Sequence, residues 1–247
     1  MGQAGDVRQR RRALAKLTTS LRVRGVREDG LHLIHAEMVT LDLADVLTFS
    51  DGDGLEVVGA PGLDAGEANL VRRALRAVGR TAHVRLDKRI PVAAGLGGGS
   101  ADAAAVLRWA RCHDLTVAAA LGGDVPFCLL GGRARVTGIG ETVEPLAFEE
   151  RTFTLLTPPL ALSTARVYAA WDQMGGPRGD GPNDLEPAAL RVEPRLASWR
   201  DRLGDATGRT PVLAGSGGTW YVEGAFPAVV GAVVTRTDRP EGRPMEP

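Results

Sequence analysis

Three groups of residues could do chemistry in this 247-residue chain. The first is the stretch from Pro91 through Gly95-Leu96-Gly97-Gly98-Gly99-Ser100-Ala101. Its glycines let a backbone turn sharply and aim several N–H groups at one point, the way proteins hold phosphate. A helix starting near Ser100 would add unpaired N–H donors and the positive end of its dipole. A flexible loop is the plain alternative. The second group is ionic. Asp124 stands in Gly122-Gly123-Asp124-Val125-Pro126, a sequence ill suited to a helix or strand interior, which predicts a tight turn displaying one carboxylate. Lys16 and Lys88 are the only lysines among 30 basic residues, so either can serve as a point charge where arginine's flat fork fits less well. The third group is His32, which follows the Asp29-Gly30 turn. A histidine without a visible partner also reads as a surface imidazole.

These residues need elements to carry them. Alternation over Ala13–Val23 predicts a strand, with Lys16 opposite Leu17, Thr19, Leu21 and Val23, a pattern also shown by a solvated edge lysine. Asp29-Gly30 reads as a hairpin turn into further strand, which runs over Met38–Phe49. Leu55–Val58 and His83–Leu86 read as short strands, and Asn69–Val78 has helical spacing with Asn69 at the N-cap position, which by itself accounts for an asparagine there. Ser100–Trp109 reads as the helix leaving the glycine stretch, and Cys112–Leu121 as a compressed connection. Strands follow at Arg133–Thr137, Glu141–Leu146 and Thr152–Leu156. After them come a helix from Ser163 to Trp171, a Gly/Pro-rich loop at Gly175–Pro182, and a helix over Leu196–Leu203. A second glycine-rich turn, Gly215-Ser216-Gly217-Gly218-Thr219, lies within Val212–Val222, ahead of a final strand at Val229–Thr235. Met1–Arg12 reads as a frayed basic tail, and the segment after Thr237 as disordered.

Composition narrows the function class. Thirty Lys plus Arg balance thirty Asp plus Glu, so no net field draws nucleic acid or an anionic membrane, and a small molecule is the expected partner. Cys112 and Cys128 are the only cysteines. With no secretory or membrane-spanning apolar run, reduced thiols and a cytoplasmic location are expected.

Four motifs in order resemble the GHMP kinases. The glycine stretch resembles their phosphate loop, Ala15-Lys16-Leu17 their opening Ala-Lys motif, Asp29-Gly30-Leu31-His32 an Asp-Gly-Tyr-His motif, and Gly123-Asp124-Val125-Pro126 a Gly-Ala-Asp-Val-Pro motif. The triple glycine with Ala101-Asp102-Ala103-Ala104 is similar to the branch acting on 4-diphosphocytidyl-2-C-methyl-D-erythritol. The resemblance implies an α+β, two-lobed fold: residues 1–148 as an ATP-binding lobe resembling domain 2 of ribosomal protein S5, and residues 149–247 as a shortened ferredoxin-like lobe. It implies ATP-dependent phosphorylation of that alcohol's 2-hydroxyl in nonmevalonate isoprenoid precursor synthesis. Other small alcohols, or nucleotide binding without catalysis, are the alternatives.

By the same resemblance, Asp124 is the candidate catalytic base and Lys16 its cationic partner, a pairing that suits phosphoryl transfer to an alcohol. ATP would meet Asn69, Pro91, Gly95, Leu96, Gly97, Gly98, Gly99, Ser100 and Ala101. The acceptor would meet His32, Thr164, Tyr168, Gly215 and Gly217. Tyr168 has two readings, stacking on the cytosine ring or packing in the core. Mg²⁺ is implied by ATP, although no carboxylate cage is visible in the sequence. A monomer or weak homodimer is expected. Two positions depart from the pattern: Leu31 stands where the family has tyrosine, and Thr18 where it has asparagine.

Overall fold

The computed structural model describes residues 8–239. Its spine is a long antiparallel pair, β1 (Gln9–Val26) and β2 (His32–Ser50). Gly30, at φ +80°, makes the turn between them, which a side chain would strain. The two halves of β2 recruit different neighbours. Val46–Ser50 pairs with β4 (His83–Asp87), which pairs in parallel with β3 (Gly54–Val58). Ile34–Val39 pairs with β5 (Arg133–Gly138), which pairs with β6 (Thr142–Leu146). Together these strands form one six-stranded sheet.

Helices α1 (Leu70–Ala77), α2 (Gly98–Trp109), α3 (Leu115–Leu121) and α4 (Val125–Leu130) accompany this sheet. Ala101 and Ala103–Leu107 of α2 are all buried in the main core. Alanine on nearly every side lets α2 lie close to β1, to α1 and to α4. A smaller sheet follows, in the order β10-β7-β9-β8, from β7 (Thr152–Leu156), β8 (Val212–Leu213), β9 (Trp220–Glu223) and β10 (Ala232–Arg236). Helices α5 (Thr164–Gln173), α6 (Glu186–Val192) and α7 (Leu196–Thr207) lie between β7 and β8. The pattern is that of a β-α-β-β-α-β unit whose second helix is missing: residues 224–231 connect β9 to β10 without one. The α+β, two-sheet expectation holds.

Several expectations fail for definite reasons. Gln9–Arg12 is no tail but the start of β1, paired with Leu47–Phe49 and Val46 of β2. The expected disorder after Thr237 falls largely on residues outside those described. Cys112–Leu121 contains α3, capped by Asp114, whose carboxylate accepts the Thr116 N–H at 2.7 Å. Both α3 and α6 have seven residues, about two turns, too short for periodicity to register. Helix α2 begins at Gly98 rather than Ser100, so the glycines form its first turn. The turn expected at Asp124 is present, closed by Val125 N–H donating to Gly122 O at 3.0 Å, and it leads straight into α4, with Pro126 in the first helical turn, where a missing N–H costs nothing. The last strand starts at Ala232 rather than Val229.

Candidate active site

Lys16 sits where the register of β1 against β2 shifts between Leu14 and Lys16. Freed from the ladder there, its backbone N–H donates to Leu96 O of the glycine loop at 3.0 Å. The strand is covered on both faces at this point, and Ala13–Thr18 are all buried. Lys16 is 5% exposed, which overturns the solvated-edge alternative. Its aliphatic stem lies on Gly97, where a Cβ would come within 2.7 Å of Lys16 Cγ. Gly97, at φ +68°, is thus required twice, for its conformation and for the lysine's passage. The ammonium donates to Thr18 Oγ1 at 3.1 Å and faces Asp124 Oδ2 at 3.5 Å. Asp124 does not cap α4 with its side chain, so the carboxylate is left to Lys16.

A cavity of about 480 Å³ opens over this pair. Its walls include Lys16, Asp124, Asn69, Pro91, Gly95 to Ser100, Lys88, Asp102 and Thr164. The N–H groups of Gly98, Gly99 and Ser100, in the first turn of α2, have no carbonyl one turn earlier to meet; the first intrahelical bond runs from Ala101 N to Gly97 O. Donors and dipole therefore point to this cavity, as anion binding requires. Ala101 lies buried behind the loop. Asn69 reaches the wall, but its amide is committed to local structure: Oδ1 accepts the Val71 N–H at 2.9 Å and Nδ2 donates to Asp64 O at 2.7 Å.

Gly217 stands behind the glycine loop, while Gly215 sits beside the lysine, where a Cβ would come within 3.4 Å of Lys16 Nζ, and Ser216 between them reaches the cavity wall. A Cβ at Gly217 would strike the backbone of Gly95 and Ala94, and one at Gly95 would strike Ala214 O and Gly217 Cα. Thr219 N donates to Ala94 O at 3.2 Å. The two glycine turns thus pack backbone on backbone, with no room for a side chain. Buried Asn183 fixes the second turn by donating to Leu213 O at 2.8 Å and Gly215 O at 2.7 Å. Thr164, at the start of α5, meets the Ser216 hydroxyl at 2.9 Å.

His32 lies apart from the cavity lining, against α5. Its Nε2 donates to Asp172 Oδ1 at 2.8 Å. A carboxylate accepting there holds the neutral ring in the tautomer whose Nδ1 is an acceptor. Tyr168 tilts over the imidazole at 4.5 Å between ring centroids, and Trp171 meets it edge-on at 5.7 Å. Burial, with a further push from the Asp124 charge, raises the Tyr168 phenol above its ordinary range.

The sequence reading missed Asp172, Asn183 and the pairing of Lys88 with Asp45 and Asp102. Asp172 carried a usable signal, since it lies one helical turn beyond Tyr168. Among the described residues no three His, Cys, Asp or Glu side chains converge to hold a metal. Both cysteines are free thiols, and burial pushes Cys128 up to about 12. No helix among the described residues is long and apolar enough to cross a membrane.

Comparison with known proteins agrees with this geometry. Residues 69–132 match the model of the GHMP kinases N terminal domain. The 4-diphosphocytidyl-2-C-methyl-D-erythritol kinase of Paracoccus denitrificans is 40% identical over 92% of this chain and 90% of its own. That of Pelotomaculum thermopropionicum is 38% identical over 85% of this chain and 86% of its own. A crystal structure of 4-(cytidine 5'-diphospho)-2C-methyl-D-erythritol kinase superposes with a TM-score of 0.74 at 33% identity, covering 93% of this chain and all of the other. Homoserine kinase from Cytophaga hutchinsonii, at 16% identity and a TM-score of 0.57 over 98% of each chain, shares the fold alone. A glycine loop wedged between a buried lysine and a second glycine turn, with sequence identity of this extent along nearly the whole chain, leads to one assignment: the chain belongs to the GHMP kinases, in the family of the 4-diphosphocytidyl-2-C-methyl-D-erythritol kinases.

Proposed function

We propose that the protein transfers the γ-phosphoryl group of ATP to the 2-hydroxyl of 4-diphosphocytidyl-2-C-methyl-D-erythritol, a step in nonmevalonate isoprenoid precursor synthesis. The observation that carries this reading is the Lys16–Asp124 pair, 3.5 Å apart, in the wall of the cavity into which the α2 donors point. ATP lies with its phosphates on Gly97 to Ser100. The acceptor hydroxyl sits against Asp124, which takes its proton as the oxygen bonds to the γ-phosphorus, while the bond from γ-phosphorus to the β-γ bridging oxygen breaks and ADP leaves. Lys16 orients Asp124 and lies where negative charge accumulates in the transition state. Mg²⁺ brought on the nucleotide would supply charge neutralisation at the phosphates, while Gly97 to Ser100 and Lys16 of this chain hold and face them.

The diphosphocytidyl end of the acceptor reaches toward His32. With Nε2 tied to Asp172, the ring offers Nδ1 as an acceptor, which matches the exocyclic amino group of cytosine and mismatches the carbonyl of uracil. Thr164 lies between the two ends, and Tyr168 supports His32. Leu31, 46% exposed, contributes no aromatic face. ADP release measured with ATP, Mg²⁺ and the diphosphocytidyl alcohol tests the reading. Turnover with this acceptor and none with homoserine or mevalonate is the expected result; turnover with another alcohol instead, or with none, overturns it.

A further inference from the structure

Beneath the glycine loop lies a buried charge cluster for which the transfer step has no use. The Lys88 ammonium sits under Gly98, where a Cβ would come within 3.1 Å of Nζ. Two carboxylates share it. Asp45 of β2 is fully buried, pairs with Lys88 through Oδ2, and accepts the backbone N–H groups of Arg89 and Ile90 through Oδ1. Both its oxygens are satisfied. Asp102, in α2 and 3% exposed, meets Lys88 at 2.8 Å through Oδ2, but its buried Oδ1 has no hydrogen-bond partner among the described residues. Lys88 and Asp102 both line the cavity.

One ammonium for two carboxylates leaves a surplus negative charge under the donors that receive phosphate. A buried charge with an unpartnered oxygen is costly, and an anion nearby makes it costlier. Burial pushes Asp102 up to about 7, against the pull of Lys88 and with a further push from Asp45. The neighbouring elements do little to relieve it. Lys16 of β1 and Asp124 beside α4 offset each other as a pair. Cys128 of α4 is pushed up to about 12 and stays neutral. On α1, Arg72 and Arg76 pair with Glu67, and Arg73 reaches Ala120 O. Helix α3 carries no titratable side chain, and Arg108, though it keeps its charge while donating to Cys128 O and Arg12 O, stands in the last turn of α2, at the other end of the helix from Asp102.

We propose that Asp102 is a proton-linked positioning residue of the nucleotide site, taking a proton from solvent when polyphosphate settles on the glycine loop. The new O–H removes the surplus charge, and Lys88 with Asp45 remains as a neutral pair below the phosphates. The inference rests on the nucleotide-binding reading above. It specifies a linkage: a site that gains a proton on binding loses affinity as pH rises past its free-state pKa, and is indifferent to pH below it.

Calorimetric titration of MgATP into the full chain, without acceptor and in buffers of different ionisation heat, reads the proton directly. Uptake should approach about one proton per nucleotide near pH 8 and vanish near pH 6, with Kd rising by up to about tenfold per pH unit above about 7. In Asp102→Asn, uptake and pH dependence should both disappear. Binding of MgATP to the unaltered protein with no buffer-dependent heat overturns the proposal, and so does full uptake in Asp102→Asn. If that variant does not fold, the unaltered protein alone still decides. Absence of any MgATP binding overturns the nucleotide reading itself, and this inference with it.

Discussion

A 3.5 Å ion pair between Lys16 and Asp124 is too long for a strong hydrogen bond, yet close enough for the ammonium to hold the carboxylate at the cavity wall. Replacing Asp124 with Asn keeps the shape and removes the proton acceptor. Asp124→Asn should lower kcat by roughly a hundredfold or more while MgATP still binds, as steady-state rates and nucleotide titration would show. Near-normal kcat would remove Asp124 from the base role. His32 makes a different demand, because it lies outside the cavity over the ion pair. His32→Ala should raise the acceptor KM by about tenfold with kcat little changed, the mark of lost ground-state and transition-state binding in equal measure. An unchanged KM would leave His32 a packing residue of α5. At this scale the sequence was informative where residue type alone limits the chemistry, as for Asp124 and Lys16. For Asp172 it placed the carboxylate one helical turn beyond Tyr168 but did not reveal the pairing with His32, 140 positions away.

Between elements, the telling contact is the one with no side chains in it. The loop ahead of α2 and the turn between β8 and β9 touch through Gly95 and Gly217, so each can take an extra atom only by pushing the other away. Gly217→Ala should cost about 1–3 kcal/mol in urea unfolding and raise the KM for ATP, since the displaced backbone carries the phosphate donors. Gly25→Ala is the control: nothing lies within 4 Å of a Cβ there, and its urea midpoint should be unchanged. Equal midpoints for the two variants would refute the backbone contact. The glycine richness of both turns was plain in the sequence, but their contact was not. Composition says that a backbone can approach something closely, and only the path of the chain says what it approaches.

Across the whole molecule, the β1–β2 hairpin belongs to both sheets' surroundings and ties them together. Asp184, almost fully buried, accepts the Val23 N–H at 3.0 Å, the Gly179 N–H at 3.1 Å and an Arg22 N–H at 2.6 Å. At the opposite side, Asp42 of β2 holds Thr235 and Arg236 of β10. Burial raises the Asp42 pKa, but these hydrogen bonds and the Arg236 charge outweigh it, so the carboxyl sits below its ordinary value. A group so lowered contributes stability above its unfolded pKa and loses it as pH falls through the folded one. Asp184→Ala strands two backbone donors and a half-covered guanidinium. It should cost about 3–5 kcal/mol of stability, seen as a lower urea midpoint; a shift within about 0.5 kcal/mol, the range of ordinary surface changes, would deny the hairpin its linking role.

By itself the sequence determined the types of the longer elements, the glycine loop before an alanine-rich helix, and the residues able to hold phosphate and accept a proton. These follow from local causes: period, turn chemistry and the φ a glycine permits. Tertiary structure decided the rest. It buried Lys16, which alternation alone left on a solvated edge, because strand β1 happens to be covered on both faces. It joined the expected carboxylate turn at Asp124 directly to helix α4 and set it opposite Lys16. It put one ammonium between Asp45 and Asp102, residues from β2 and α2 that no spacing rule connects. Burial and charge pairing depend on which segments the fold brings together, and that is a property of the packed chain rather than of any stretch of it.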